Sequence, residues 1–276
     1  MRVVLCCLAK NEEKYINDFV RWYVKIGVDT IYIFDNNEPS KPTIDNFIDT
    51  KYHDNIQVMD IRGWKEEHLQ QHIYTEFYNR FKNNFDWCLF FDVDEFLIRV
   101  PNIKDLLSSP IYNNFNQIRV MWRLFGDDDL ITRDMSLPVY KVFNKQLNHS
   151  LMRDLRTRGN LEKQGKFIIR GGLDNVKITS PHFASYDTRD KIVESCLPNG
   201  EKCNSKVVIY EPYHRNVIFL NHYMTKSLSE FIDQKLNRND AVYNSNIKLD
   251  YFWRINRLTN EKLLYLKERG IIWVTK

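Results

Sequence analysis

The sequence predicts an α/β protein whose central sheet is mostly parallel and flanked by helices. Within the first hundred residues, short apolar runs alternate with segments whose apolar residues recur at helical spacing. The runs at 3–9 and 85–91 are almost wholly apolar, as expected of strands covered on both faces. Repeated strand–helix units wind right-handed into a parallel sheet.

Each element has its own signal. Strand one is expected over 3–9, and Lys10-Asn11-Glu12-Glu13 then opens a helix with Asn11 as N-cap and acids in the first turn. Ile16, Phe19, Val20 and Tyr23 form that helix's stripe, and Gly27 stops it. Strand two covers 29–34 and ends at Asp35-Asn36-Asn37, a short helix lies within 39–49, and strand three covers 56–61. Leu69, Ile73, Phe77 and Phe81 line a helix leading into the strand that ends at Phe91. Beyond residue 100 the pattern loosens. A strand over 116–122 runs into Phe125-Gly126-Asp127-Asp128-Asp129, and 166–170 with 176–178 read as a strand pair around Gly171-Gly172. The polar stretch 186–216 reads as a loop or insertion. Residues 217–220 form a last buried strand before Asn221-His222-Tyr223, and Ser227-Leu228-Ser229-Glu230 has the form of a capping box. An aromatic, basic segment closes the chain.

With 276 residues the chain suits one large domain, expected over 1–240, and a C-terminal segment over 241–276 that packs on it or meets acceptor or membrane. A net charge of +4 is too small to imply nucleic acid, but it leaves room for anionic substrates and a peripheral contact with an anionic membrane face. The five cysteines lack metal-ligand spacing and read as reduced thiols, with a Cys196–Cys203 pairing left open. No apolar run is long enough for a membrane helix, so a cytoplasmic protein is expected.

The chemistry concentrates in Asp92-Val93-Asp94-Glu95, which follows a buried strand. Like charges packed at a strand end destabilise a fold unless a cation or solvent compensates. In open α/β sheets ligands bind beyond the carboxyl ends of the strands. Asp92 and Asp94 stand two apart and face the same way, which suits a hard divalent ion shared with phosphates, whereas Glu95 points away. There is no Gly-rich phosphate loop. Asp127, Asp128 and Asp129 follow a strand and a glycine and are candidates for a general base, or form a solvated turn. His222 closes a buried strand, and Lys226, Lys235 and Arg238 either meet phosphates or are solvated cations. Arg153, Arg156 and Arg158 read as a surface loop. His68 and His72 have helical metal spacing without the accompanying acid, and Gln71 on the same helix is a candidate for the nucleotide cleft.

Ala9-Lys10-Asn11-Glu12, Trp22-Tyr23, Gly27-Val28, Asp35-Asn36 and Asp92-Val93-Asp94-Glu95-Phe96 together resemble a GT-A glycosyltransferase of the family 2-like or family 92-like groups. Trp122 to Gly126, Lys166-Phe167-Ile168-Ile169-Arg170, Pro181-His182-Phe183 and Asn221-His222-Tyr223 extend the likeness over roughly 1–240. The resemblance implies a GT-A nucleotide-binding domain that moves a hexose from a nucleotide sugar, a UDP-sugar, to a glycan or lipid-linked acceptor in polysaccharide biosynthesis. It implies nucleotide contacts at Asn11, Glu12, Asp35 and Asp92. It also implies Mn²⁺ or Mg²⁺ on Asp92, Asp94 and His222, with His182 as the second choice of histidine; Lys226 and Gln71 are further candidates for donor contact by their positions in the chain. Asp127-Asp128-Asp129 departs from the family pattern, so the base is not fixed by the likeness, although an inverting transfer would need one. A nucleotidyltransferase acting on a sugar phosphate and a non-catalytic carbohydrate-binding protein are the alternatives.

Overall fold

The computed structural model describes residues 1–147, 165–187, 191–203, 218–236 and 249–271. Nine strands form one sheet, in the order β3-β2-β1-β4-β7-β6-β11-β5, with β10 beside β6. The parallel half comprises β1 (Val3–Ala9), β2 (Thr30–Asp35), β3 (Ile56–Asp60) and β4 (Trp87–Phe90). β7 (Gly165–Arg170) runs antiparallel between β4 and β6 (Gln117–Leu124). β6 is parallel to β11 (Phe219–His222), whose other edge pairs antiparallel with β5 (Glu95–Ile98). β10 is Ser195–Cys196, and β8 (Val176–Ser180) with β9 (Phe183–Tyr186) makes a separate hairpin.

Alternation along β1 assigns its two faces. Val3, Leu5, Cys7 and Ala9 join one core with Ile16, Phe19, Val20 and Tyr23 of α1 (Ile16–Lys25). Val4 and Cys6 join another with Leu69, Ile73, Tyr74 and Phe77 of α2 (Leu69–Phe81). Helices therefore cover both faces, as the uninterrupted apolar runs require. The chain builds outward from β1 to β3 and returns to place β4 on the other side of β1. That reversal is a topological switch point, and in open α/β sheets ligands bind beyond the carboxyl ends of the strands there, in this chain β1 and β4.

Three local expectations are corrected. α1 begins at Ile16 rather than Lys10, because the chain at Asn11 takes φ +58° and is held by tertiary contacts. The Asn11 N–H donates to Asn37 Oδ1 at 2.7 Å, and its carbonyl accepts from Gln234 Nε2 at 2.7 Å. β7 and β8 are not partners: β7 fills the gap between β4 and β6, and β8 pairs with β9. The expected helix within 39–49 is a 3₁₀ turn over Ile44–Phe47, followed by another over Thr50–Asn55.

Later helices are α3 (Ile103–Leu107), α4 (Val139–Val142), α5 (Leu228–Phe231), α6 (Leu249–Ile255) and α7 (Asn260–Glu268). The capping box at Ser227 and Glu230 starts α5 as expected, and α5 continues into a π-helical turn over Ile232–Leu236. Within the expected insertion, β10 joins the main sheet and residues 188–190 and 204–217 lie outside the described residues. Arg153, Arg156, Arg158 and Arg238 also lie outside them. All five cysteines are free, Cys196 and Cys203 included. Among the described residues no helix is long and apolar enough to cross a membrane.

Candidate active site

Asp92 and Asp94 lie just past β4, at the switch point, and each meets cations brought from distant sequence. Asp92 Oδ2 is 2.6 Å from the buried Lys166 Nζ, and Asp92 Oδ1 accepts from Gln70 Nε2 at 2.8 Å. Burial favours the neutral amine of Lys166, but Asp92 and Glu95 hold its pKa above the ordinary value. Burial likewise opposes ionisation of Asp92, and Lys166 more than offsets it. Asp94 Oδ1 is 3.5 Å from His222 Nε2, and Asp94 Oδ2 is 3.7 Å from both Lys226 Nζ and Lys235 Nζ. Against burial, these three groups keep the Asp94 carboxyl well below the usual range.

Glu95 points the other way, as the alternation predicts. Its Oε2 accepts the Asp92 N–H at 2.8 Å and its Oε1 accepts Trp122 Nε1 at 2.6 Å. Those two bonds make it a brace for the acidic turn, and burial pushes its pKa well up. The Trp122 indole in turn packs against His222 and His182, with ring centroids 4.5 and 5.3 Å away. His182 Nδ1–H donates to the Gly165 carbonyl at 2.9 Å, and burial together with Lys166 pushes its pKa down to about 4. It is a neutral ring beside the cluster. Gly165 itself must be glycine, because a Cβ there would lie 2.0 Å from the Val120 carbonyl.

The remaining expected residues divide. Asn11 and Glu12 lie just past the carboxyl end of β1, with Asn11 Oδ1 accepting from Lys41 Nζ at 2.9 Å. Asp35 is fully buried, and its oxygens accept the N–H groups of Asn37 at 3.0 Å and Ile44 at 2.9 Å. Gln70, not Gln71, reaches Asp92. His68 and His72 lie on the surface, where they contact Glu67 and Glu66 respectively. Asp127 is buried against Lys262 Nζ at 2.5 Å. Asp128 accepts the backbone N–H groups of Asn144 and Lys145. Asp129 alone of the three has a half-exposed side chain, 49%, with Lys145 Nζ at 3.0 Å.

Sequence reasoning passed over Lys166 and Gln70 as site residues. Lys166 carried a signal, since a lysine opening the apolar run Phe167-Ile168-Ile169 needs a buried counter-ion. Nothing in the sequence spacing announces the π-helical turn that aims Lys235 at Asp94.

A divalent ion does not fit this donor set as it stands. Every oxygen of the Asp92 and Asp94 carboxylates faces a nitrogen, three of the neighbours being ammonium groups. Two like unit charges 4 Å apart repel by about 4 kcal/mol at an effective dielectric near 20, and a dication doubles that against each ammonium. Among the described residues no group of three or more His, Cys, Asp or Glu side chains forms a metal-holding cluster.

A mostly parallel sheet with an acidic cluster at its switch point is an α/β arrangement in which ligands commonly bind at that point. The chain's sequence is similar to a glycosyltransferase family 92 protein of Ricinus communis, 27% identical over 133 residues, or 46% of this chain. The matched stretch spans 23% of that protein. No family model matches the chain. Among solved structures, mannosyl-3-phosphoglycerate synthase from Rubrobacter xylanophilus covers 62% of the chain and 53% of its own length, at 12% identity and a TM-score of 0.32. That likeness is too remote to argue from.

Proposed function

We propose that the chain transfers a hexose from a nucleotide sugar, a UDP-sugar, to a glycan or lipid-linked acceptor in polysaccharide biosynthesis. The observation that carries this reading is the pair Asp92 and Asp94, fixed among cations at the switch point of the sheet. The nucleoside lies along Asn11, Glu12 and Asp92. Asp35 serves it indirectly by shaping the turn from Asn37 to Ile44. His222, Lys226 and His182 border the donor diphosphate, with Gln71 as a further contact.

In the transfer, the bond from the sugar's anomeric carbon to the β-phosphate oxygen breaks and its electron pair leaves with the diphosphate. The acceptor oxygen attacks the same carbon from the opposite face, so the configuration inverts. The acceptor's proton passes to a carboxylate of the Asp127, Asp128 and Asp129 turn. Asp129 is the accessible member, with 49% of its side chain exposed, and Lys145 and Lys262 stand 3.0 and 3.6 Å from its oxygens. Positive groups around a departing diphosphate stabilise the transition state more than the ground state.

In this reading 1–240 is the transferase domain and 241–276 a C-terminal segment, a division that the contacts of Lys262 and Asn256 with Asp127 support. Five reduced thiols suit the cytoplasm, and the net charge of +4 suits a peripheral contact with an anionic membrane face. Dependence on Mn²⁺ or Mg²⁺ rests on the resemblance alone.

A thermal-shift panel of nucleoside diphosphates, nucleotide sugars, nucleoside triphosphates and free glycans, with and without Mn²⁺, tests the reading, since ligands that bind only the native state raise Tm. A shift with a nucleoside diphosphate and its sugar is expected. Shifts confined to triphosphates favour a nucleotidyltransferase, and shifts confined to glycans a binding protein.

A further inference from the structure

We propose that Lys226 and Lys235 form an ammonium clamp that binds the diphosphate of the nucleotide without a divalent ion. The inference rests on the nucleotide-sugar reading and names the groups that bind its anionic part.

The local charges are uneven. Asp92 is matched by one lysine, Lys166, at 2.6 Å. Asp94 faces two, and neither is within hydrogen-bond reach: Lys226 Nζ and Lys235 Nζ both stand 3.7 Å from the same Oδ2. Lys226 Nζ is buried and has no hydrogen-bond partner, although an ammonium carries three donors. Its other near neighbour is the Tyr15 ring, 4.3 Å from centroid to Nζ. A buried ammonium left short of acceptors destabilises a fold and calls for an anion with several oxygens. Lys235, with 19% of its side chain exposed, opens the same spot to solvent. A diphosphate entering past Lys235 supplies the missing acceptors. A dication entering there would meet two ammonium groups and a carboxylate already held by them.

The backbone is built to present these lysines. Lys226 takes φ +56°, immediately before the cap of α5. The cap is locked, because Glu230 accepts from Ser227 Oγ at 2.5 Å, Tyr15 Oη at 2.8 Å and Arg133 Nε at 2.7 Å. After α5 the π-helical turn directs Gln234 onto the Asn11 carbonyl and Lys235 onto Asp94. Single π-turns inside helices are frequent at functional sites. One short segment thus joins the end of β1 to the acidic cluster, and the cations are positioned before ligand arrives.

Isothermal titration of the full chain with UDP, GDP, ADP and CDP, in EDTA and separately in Mn²⁺, tests this. One of them is expected to bind in EDTA, with affinity that falls steeply as salt is added. Lys235→Met is expected to weaken that binding at least tenfold while Lys235→Arg retains most of it, and Lys226→Met should behave like Lys235→Met. Lys235 is partly exposed, so its variants remain informative if Lys226→Met fails to fold. Binding only in Mn²⁺ overturns the clamp and leaves the nucleotide-sugar reading standing. So does binding in EDTA that Lys235→Met leaves unchanged. If no nucleoside diphosphate binds in either condition, both the clamp and the nucleotide-sugar reading fall.

Discussion

Asp127 and Lys262 form a buried ion pair, 2.5 Å between Oδ2 and Nζ, that ties the turn after β6 to the N-terminal part of α7. The pair is reinforced by the Asp127 N–H donating to Asn256 Oδ1 at 2.8 Å. Burial pushes the Asp127 pKa up and Lys262 works against that, so the carboxylate depends on its partner. Removing one member of such a pair typically costs about 3–5 kcal/mol. Lys262→Met should therefore lower the unfolding free energy by about 3 kcal/mol or more in urea titrations. A change under about 1 kcal/mol would mean that the C-terminal segment is not anchored there.

Asp35 reads from sequence as a nucleotide contact, and its geometry predicts a different phenotype. Its oxygens hold the backbone N–H groups of Asn37 and Ile44 in a fully buried position. Leaving buried donors unpaired costs about 1–3 kcal/mol each. Asp35→Ala should lower stability by about 2–4 kcal/mol, read by chemical denaturation. Unchanged stability with a weakened donor constant would instead make Asp35 a direct ligand of the nucleotide.

His182 predicts a pH dependence of stability. Its unfolded pKa is near 6.5 and its folded value is pushed down to about 4, so the unfolded chain takes up the proton first as pH falls. The stability this neutral ring contributes is complete above about pH 6.5 and is lost toward pH 4, at most on the order of 3 kcal/mol. His182→Asn, which keeps a donor for the Gly165 carbonyl, should flatten the fall in Tm over that interval. Parallel Tm profiles for the two proteins would show that other groups govern it.

Much of the fold was legible because β1, β2 and α2 are locally consistent: their apolar periods match their burial. β5 was not, since Phe96-Leu97-Ile98 follows the acidic turn directly and its partner β11 lies more than a hundred residues away. The start of α1 was misplaced for a similar reason, because Asn37 and Gln234 capture Asn11 from outside its own segment. In the candidate site the acids were legible as a like-charge cluster needing compensation. The compensating groups were not, because Lys166 comes from an antiparallel strand inserted later in the chain and Lys235 from a π-turn. Gln70 was not legible as the partner of Asp92, because the helical stripe fixes a face only to within a residue or so.

In the proposed transfer this cluster handles the leaving nucleoside diphosphate of a nucleotide sugar. The most direct measurement is release of nucleoside diphosphate from a panel of nucleotide sugars, with water or added glycans as acceptor, by the parent chain and by Asp94→Asn. The parent should consume at least one donor, and Asp94→Asn should release diphosphate about 10²-fold more slowly or worse while still melting cooperatively. Equal rates in the two proteins, or no donor consumed by the parent, would contradict the account.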